Sequence, residues 1–479
     1  MNKSMVRYLL SKLLLLEAAL LIVPLIVAAL YREESAVFLS ILATMSLLCL
    51  LGGLGVLIKP KNYHIYTKEA LLIVALCWVL WSFFGALPFV FTGQIPNLID
   101  AFFETSSGFT TTGATILADT AALSPALMFW RSFAHLIGGM GVLVFALAIM
   151  ENSKNSHLEV MRAEVPGPVF GKMVSRLKDT AQILYFIYLA MFALFTLILW
   201  LAGLPFYDSL ITAMGTAGTG GFAVYNDSIA HYDSSLITNL VSLGMLAFGV
   251  NFNLYYFLLL RKFKVFFKDE ELHTYIKIVL VAAGLIAFNV LGLYDNVRQG
   301  LEYVFFQVSA TITTTGYGIT DISGWPLFSQ VILLLLMFVG GSAGSTAGGF
   351  KVMRSLILAK ITKNQVMSTL YPNRMMSLHI NHETIDKETQ HGVLKYLTLY
   401  VIFLLGLVFF LSLDNNNFMT VFSAAASCMN NIGPMLGTTD NFAIFSPLSK
   451  LLLSFAMIAG RLEIYPMLLF FIPKTWSKI

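Results

Sequence analysis

The fold class this sequence predicts is an all-α integral membrane protein with four repeats of helix, short pore helix and helix around one pore. Three observations carry that prediction. The chain is 57% hydrophobic, with mean hydropathy +0.78 and only 12% charged residues, whereas soluble domains carry about 25%. Ten apolar stretches of spanning length run along its 479 residues. A glycine motif recurs four times, each copy between two of those stretches.

A spanning helix needs about 20 mainly apolar residues. The stretches are 13–30, 36–58, 69–91, 127–150, 180–203, 235–260, 276–294, 327–360, 393–413 and 447–472. Lys3, Arg7 and Lys12 precede the first, in the manner of a signal peptide. That stretch is too long for an h-region and a second span follows almost at once, so it reads as an uncleaved helix. The eighth stretch is long and broken by glycine.

An even number of spans puts both termini on one side, and the basic residues say which. Lys59, Lys61 and Lys68 follow span two, and Lys154, Arg162, Lys172, Arg176 and Lys178 follow span four. Arg261, Lys262, Lys264 and Lys268 follow span six, and Lys360, Lys363, Arg374 and Lys387 follow span eight. The opposite side holds only Arg32, Arg131, Arg298 and Lys450. Because Lys and Arg concentrate in cytoplasmic loops, both termini are expected in the cytoplasm.

The external segments carry Asp100, Glu104, Asp119, Asp208, Asp227, Asp233, Asp295, Glu302, Asp321, Asp414 and Asp440. Taken singly, these are polar connector residues; taken together, they form a rim that raises the local cation concentration. Cys49, Cys77 and Cys428 lie in apolar surroundings without metal-site spacing, and imply no disulfide framework. No HExxH, GxSxG or P-loop supports an intramembrane enzyme. The net charge of +4 says little, because where the charges sit matters more than their sum, and no nucleic-acid partner is expected.

The most informative glycine motif is Thr314-Thr315-Gly316-Tyr317-Gly318, one residue away from the TVGYG of potassium-channel filters. In such filters backbone carbonyls replace an ion's hydration shell. Its degenerate relatives are Thr111-Thr112-Gly113-Ala114, Thr219-Gly220-Gly221-Phe222 and Asn431-Ile432-Gly433-Pro434. Upstream of each motif lies a short segment of apolar or small residues, starting near Asp100, Asp208, Tyr303 and Thr420. About two turns long, these are too short to span and read as re-entrant pore helices. Non-helical backbone at membrane depth survives only inside protein or along a watery cavity, and glycine allows torsions closed to other residues.

One such motif would mark an ordinary turn. Four in matching units place their shared feature on a pseudo-fourfold axis. The expected ion-binding set is Thr111, Thr112 and Gly113; Thr219, Gly220 and Gly221; Thr314, Thr315 and Gly316; and Asn431, Ile432 and Gly433. The chain then divides into an N-terminal helix pair (1–68) and repeats at 69–153, 154–268, 269–375 and 376–479.

Inside the eighth span, Gly340, Gly341, Ser342, Ala343, Gly344, Ser345, Thr346, Ala347, Gly348 and Gly349 interrupt the apolar run. Each glycine costs about 1 kcal/mol against Ala in a helix. Two readings stand: a gating loop beneath the filter, or small residues for close helix packing. Arg461 lies mid-span, where charge is expensive. It is either an electrostatic barrier in the pore or half of a buried ion pair, although Glu463, two positions on, occupies a different helix face. Lys351 shares the barrier role or snorkels to the interface. His135 and Glu17 are satisfied locally or form a proton relay.

With these motifs the chain resembles the Trk-type members of the Trk/Ktr/HKT superfamily of cation transporters, over nearly its whole length. Besides the four glycine motifs, the resemblance rests on Ile137-Gly138-Gly139-Met140-Gly141 and Arg162-Ala163-Glu164-Val165-Pro166-Gly167-Pro168. It also rests on the glycine-rich break, on Ala459-Gly460-Arg461-Leu462-Glu463-Ile464 and on the extra N-terminal pair. It implies four M1–pore helix–M2 repeats and potassium uptake across a bacterial inner membrane, with potassium at the filter residues and no organic cofactor. It further implies a homodimer with one pore per protomer, a cytoplasmic nucleotide-binding regulatory ring, and gating by 340–349 with Lys351 and Arg461. Symport with protons or sodium is the alternative. Gly220 and Asn431 depart from the filter pattern and leave potassium-over-sodium selectivity open.

Overall fold

The computed structural model describes residues 2–139, 141, 177–373, 377–381, 383–438 and 441–476. The 162–168 motif, Met140, Lys154, Lys172, Arg176, Arg374 and Asp440 lie outside them.

The chain opens with α1 (Lys3–Leu20) and α2 (Ile22–Tyr31), which form one apolar run, and returns through α3 (Ser35–Leu57). The first span was expected at 13–30 but its helix begins at Lys3. The reason is an amphipathic start: Met5, Val6 and Leu9 are buried while Lys3 and Arg7 stay exposed. Arg7 donates to the Ile58 carbonyl at 2.9 Å. Two glycines of α3 let α1 approach closely, and a methyl at Gly55 would stand 1.8 Å from Ser11 Oγ.

Repeat one comprises α4 (Thr67–Thr92), α5 (Leu98–Phe109) and α6 (Pro125–Gly139). Repeat two comprises α7 (Leu177–Leu201), α8 (Phe206–Gly218), α9 (Ser235–Phe248) and α10 (Phe252–Leu259). A short α11 (Phe263–Lys268) leads into repeat three, made of α12 (Glu270–Val290), α13 (Val297–Ile312), α14 (Leu327–Val339) and α15 (Val352–Leu370). A small antiparallel hairpin, β1 (His379–Ile380) with β2 (Glu383–Thr384), opens repeat four. That repeat comprises α16 (Lys387–Leu411), α17 (Phe418–Asn430), α18 (Pro447–Arg461) and α19 (Tyr465–Phe471). Helix α4 starts two residues before the position at which the sequence places repeat one.

Ten continuous spans were expected; among the described residues six helical runs are long and apolar enough to cross a membrane. These are the N-terminal pair and the first helix of every repeat. The second helices of repeats two, three and four are interrupted instead. The predicted span 235–260 is two helices bent by 90°, with Asn251 capping the second through the Asn253 N–H at 3.0 Å. The span 447–472 breaks where Glu463 and Ile464 both adopt φ of 62°. The span 327–360 opens at Gly340, and of 127–150 only 127–139 and 141 are described.

The short helices α5, α8, α13 and α17 have 12, 13, 16 and 13 residues, longer than the two turns predicted. Asn97, Asn296 and Asn417 cap three of them from positions upstream of the apolar segment. Each such cap satisfies an orphan N–H and contributes about 1 kcal/mol.

Replacing Gly55 by Val overfills the α1–α3 contact and should cost about 1–3 kcal/mol. The measurement is the thermal unfolding midpoint in detergent, where Gly53→Ala, with nothing within 4 Å of the added methyl, should match the parent protein.

Candidate ion-binding site and the loop beneath it

Each of the four short helices ends in the same turn. Thr111, Thr219, Thr314 and Asn431 take φ of 55°, 54°, 54° and 56°, and Gly113, Gly221, Gly316 and Gly433 follow two residues later at 82°, 76°, 78° and 105°. The N–H between them bonds back to the helix five residues earlier: Thr112 to Ser107, Gly220 to Gly215, Thr315 to Ala310 and Ile432 to Ser427, at 2.8–3.0 Å. The donors therefore turn into the helices.

The four glycines interlock in chain order. A methyl at Gly113 would lie 2.1 Å from the Gly220 oxygen, one at Gly221 1.9 Å from the Thr315 oxygen, and one at Gly316 1.9 Å from the Ile432 oxygen. One at Gly433 would lie 2.7 Å from the Thr112 oxygen, which closes the ring. Among the described residues, no protein donor takes the carbonyls of Thr112, Gly220, Thr315 or Ile432. A buried carbonyl needs a partner, so these four are available to one from outside the chain. All twelve residues of the expected ion-binding set meet at this ring. The four helix C-termini end there as well, each with a partial negative charge that favours a cation.

Two of the loops are alike and two differ. Thr110 and Thr112 hydroxyls bond at 2.8 Å, as do Thr313 and Thr315. In the fourth loop Asn431 Nδ2 instead donates to Thr112 Oγ1 at 3.0 Å and to the Met457 carbonyl at 2.9 Å, tying repeat four to repeat one.

Above the ring lies a cavity of about 940 Å³ lined by Gly113, Gly221, Gly316 and Gly433. Of the acidic residues proposed as its rim, Asp227 and Asp321 line it. Two hydrogen bonds from Ser323, hydroxyl first, hold the Asp321 carboxyl below the usual carboxylate range. Others are spent elsewhere: Asp100 pairs with Lys450 at 2.7 Å and Asp208 accepts from Tyr232 at 3.1 Å. Glu104 is a correction to the rim, because it is fully buried against Arg131 at 2.6 Å. Its carboxylate also takes the Thr115 hydroxyl and the Ile116 N–H.

Beneath the ring, 340–351 is irregular chain of turns and bends between α14 and α15. Gly348 N donates to Thr314 Oγ1 at 2.6 Å, and a methyl there would meet the Asn430 oxygen at 2.3 Å. The segment is fastened to the bend of repeat two: Ser342 N to Gly249 O at 3.0 Å, Phe252 N to Gly344 O at 3.1 Å and Thr346 Oγ1 to Phe248 O at 3.3 Å. Glu271 Oε1 accepts from Ala343 N at 2.6 Å, an anchor with no sequence signal beyond its place at a span's start.

Arg461 donates to Thr346 O at 2.7 Å and to Gly138 and Gly139 oxygens at 2.7 and 2.9 Å. It thus joins the loop to repeats four and one. Glu463 pairs with Arg354, and Arg354 stacks 4.1 Å from the Tyr396 ring. Lys351 does not snorkel; it is 3% exposed and its Nζ donates to the Ala347 carbonyl. His135 is satisfied locally, 2.7 Å from Gly108 O and accepting from Phe222 N at 3.3 Å. Both Glu17 oxygens lack a hydrogen-bond partner among the described residues.

Long apolar helices around a ring of four re-entrant loops define a multi-pass membrane protein of the pore-loop transport class. The chain belongs to the TrkH family, described as cation transport protein, whose profile matches residues 37–478. It is accordingly a transporter and not an enzyme. It is 33% identical to the Trk system potassium uptake protein TrkH of Salmonella typhimurium, over 97% of this chain and 98% of that one. Identity is 31% to the Trk system potassium uptake protein TrkG of Escherichia coli K12, over 95% of each. The crystal structure of the potassium transporter TrkH from Vibrio parahaemolyticus superposes with TM-score 0.89 at 28% identity, covering 100% of both chains.

Removing one partner of a buried ion pair strands the other. Glu104→Gln should therefore destabilise the protein by about 3–5 kcal/mol, read as a lower unfolding midpoint in detergent. Adding Arg131→Met should recover part of that loss.

Proposed function

We propose that this chain takes up potassium across a bacterial inner membrane through the four-loop ring, and that 340–349 gates the passage. The observation that carries the proposal is the ring of buried carbonyls at Thr112, Gly220, Thr315 and Ile432, free of protein donors among the described residues. Carbonyl oxygens arranged in a ring exchange for the water of a permeating ion. An ion entering from the cavity passes the carboxylates of Asp227 and Asp321 and sheds water at the ring. Four helix C-termini stabilise its charge there.

On this reading the loop closes the ion's exit, and Arg461, bonded to Thr346, holds it there with a positive charge. A cation below the ring meets both obstruction and repulsion. Release of Arg461 from Thr346 opens the path, and Lys351, turned onto Ala347, moves with the loop.

The lysines and arginines after spans two, four, six and eight support cytoplasmic termini. A homodimer with one pore per protomer, worked by a cytoplasmic nucleotide-binding ring, is the assembly the family resemblance supports. Potassium is cargo here, and no organic cofactor is called for. Four repeats in one orientation favour a gated pore over symport with protons or sodium, since alternating access is commonly built from paired inverted halves.

In proteoliposomes at clamped pH, potassium flux should follow the potassium gradient alone; dependence on a proton or sodium gradient would establish symport instead. Gly316→Ala, whose methyl has no room beside Ile432 O, should abolish potassium-over-sodium preference. Deleting 342–348, or Arg461→Ala, should raise flux without the regulator. The point variant gives a rise on the order of tenfold, because each hydrogen bond from a charged group is worth about 1.5–3 kcal/mol. Flux at the parent level in both would reject the gate.

A further inference from the structure

The second filter loop is the thinnest of the four. Its helix and loop read Gly215-Thr216-Ala217-Gly218-Thr219-Gly220-Gly221, and each glycine faces an intruding group. A methyl at Gly215 would lie 2.2 Å from Tyr317 Oη of repeat three. One at Gly218 would lie 2.3 Å from the His135 carbonyl, and one at Gly220 2.4 Å from His135 Cγ. The imidazole of repeat one therefore occupies the volume that a side chain at position 220 would need.

His135 does more than fill space. Its Nδ1 is 2.7 Å from the Gly108 carbonyl, at the end of pore helix α5, so that nitrogen carries the proton. Its Nε2 accepts the Phe222 N–H at 3.3 Å, immediately beyond the filter glycine Gly221. The neutral imidazole thus spans from the first pore helix to the second filter strand. Its ring lies 4.2 Å from that of Phe222. Arg131, one turn earlier on α6, places its guanidinium 3.4 Å from the same ring. Positions i and i+4 share a helix face, so one face of α6 grips Phe222 twice. In repeat four, Gly460 meets the Met429 carbonyl as Gly138 meets that of Phe109. Counting three residues back, the counterpart of His135 is Met457, which offers no such bond.

We infer that His135 is a specificity-determining positioning residue, which sets the second filter loop against the first pore helix and makes glycine obligatory at 220. The missing side chain of the second loop and the imidazole of the first repeat are one size-matched pair. The inference rests on the four-loop ring being the ion filter. It assigns the fidelity of one quarter of that filter to a side chain that touches no ion.

The test is the potassium-to-sodium flux ratio in proteoliposomes of full-length protein. His135→Ala removes one buried hydrogen-bonded brace and should lower the ratio about fivefold to tenfold. His135→Gln, whose amide both donates and accepts, should keep it within about twofold of the parent value. Gly220→Ala should lower the ratio in the parent protein but cost nothing further beside His135→Ala, a non-additive pattern that marks a shared site. An unchanged ratio in His135→Ala overturns the inference, as does equal damage from Gly220→Ala in both backgrounds. Should His135→Ala pass no ion at all, the Gln variant decides, and loss of discrimination there also overturns it. Gly316→Ala separates the two levels. If that substitution leaves the ratio intact, the ring itself is not the filter; if it collapses the ratio while His135→Ala does not, only the present inference fails.

Discussion

The close approach of four backbone turns is the constraint on which the rest of this structure depends. Each turn needs a residue near φ of 55° followed by a glycine at positive φ, and each glycine abuts a carbonyl of the next loop. A single methyl at Gly113, Gly221 or Gly316 would overlap backbone that has no room to move. Non-glycine residues tolerate the left-handed region only where surroundings over-determine it. Here the surroundings are the pore helices, whose carbonyls hold the N–H of Thr112, Gly220, Thr315 and Ile432. The ring, once closed, presents carbonyls where a membrane interior offers no water, and that arrangement has a physical rationale only if something cationic or wet completes it.

The second helices give way just below this ring. At Gly249, Gly340 and Glu463 the helix stops or turns, which makes room for the 340–351 segment under the ring. That segment borrows its hydrogen bonds from the breaks around it, with partners at Phe248, Gly249 and Phe252 on one side and Arg461 on the other. Its freed backbone groups are satisfied by neighbouring helices, the condition under which irregular chain is tolerated at membrane depth. The ring and the segment beneath it are therefore directly bonded: Thr314 belongs to the third loop and accepts from Gly348.

Much of this was legible from residue pattern. Glycine at 113, 221, 316 and 433 follows from a local torsional requirement, and apolar length announces a membrane-embedded chain. The glycine-rich break could be placed for the same reason, since five glycines in ten residues weaken any helix. The partners of the charged residues were not legible. Glu104 looked like one of many external acids, yet it is buried against Arg131, 27 residues away. Glu463 found Arg354, 109 residues distant. Nor did the apolar run 235–260 announce its 90° bend, because one asparagine in so long an apolar run does not reveal that Asn251 caps a new helix through the Asn253 N–H.

The sequence by itself determined the environment, the number of re-entrant loops and the positions of their turns, because hydropathy and glycine torsions are properties of short stretches. Tertiary structure decided which carbonyl faces which glycine, which charges cancel and why the second loop has no side chain at 220. Those are facts about contact between repeats separated by about a hundred residues. A glycine is legible as a freedom of the chain; the neighbour that makes it necessary, an oxygen or an imidazole, appears only when the four repeats close around one axis.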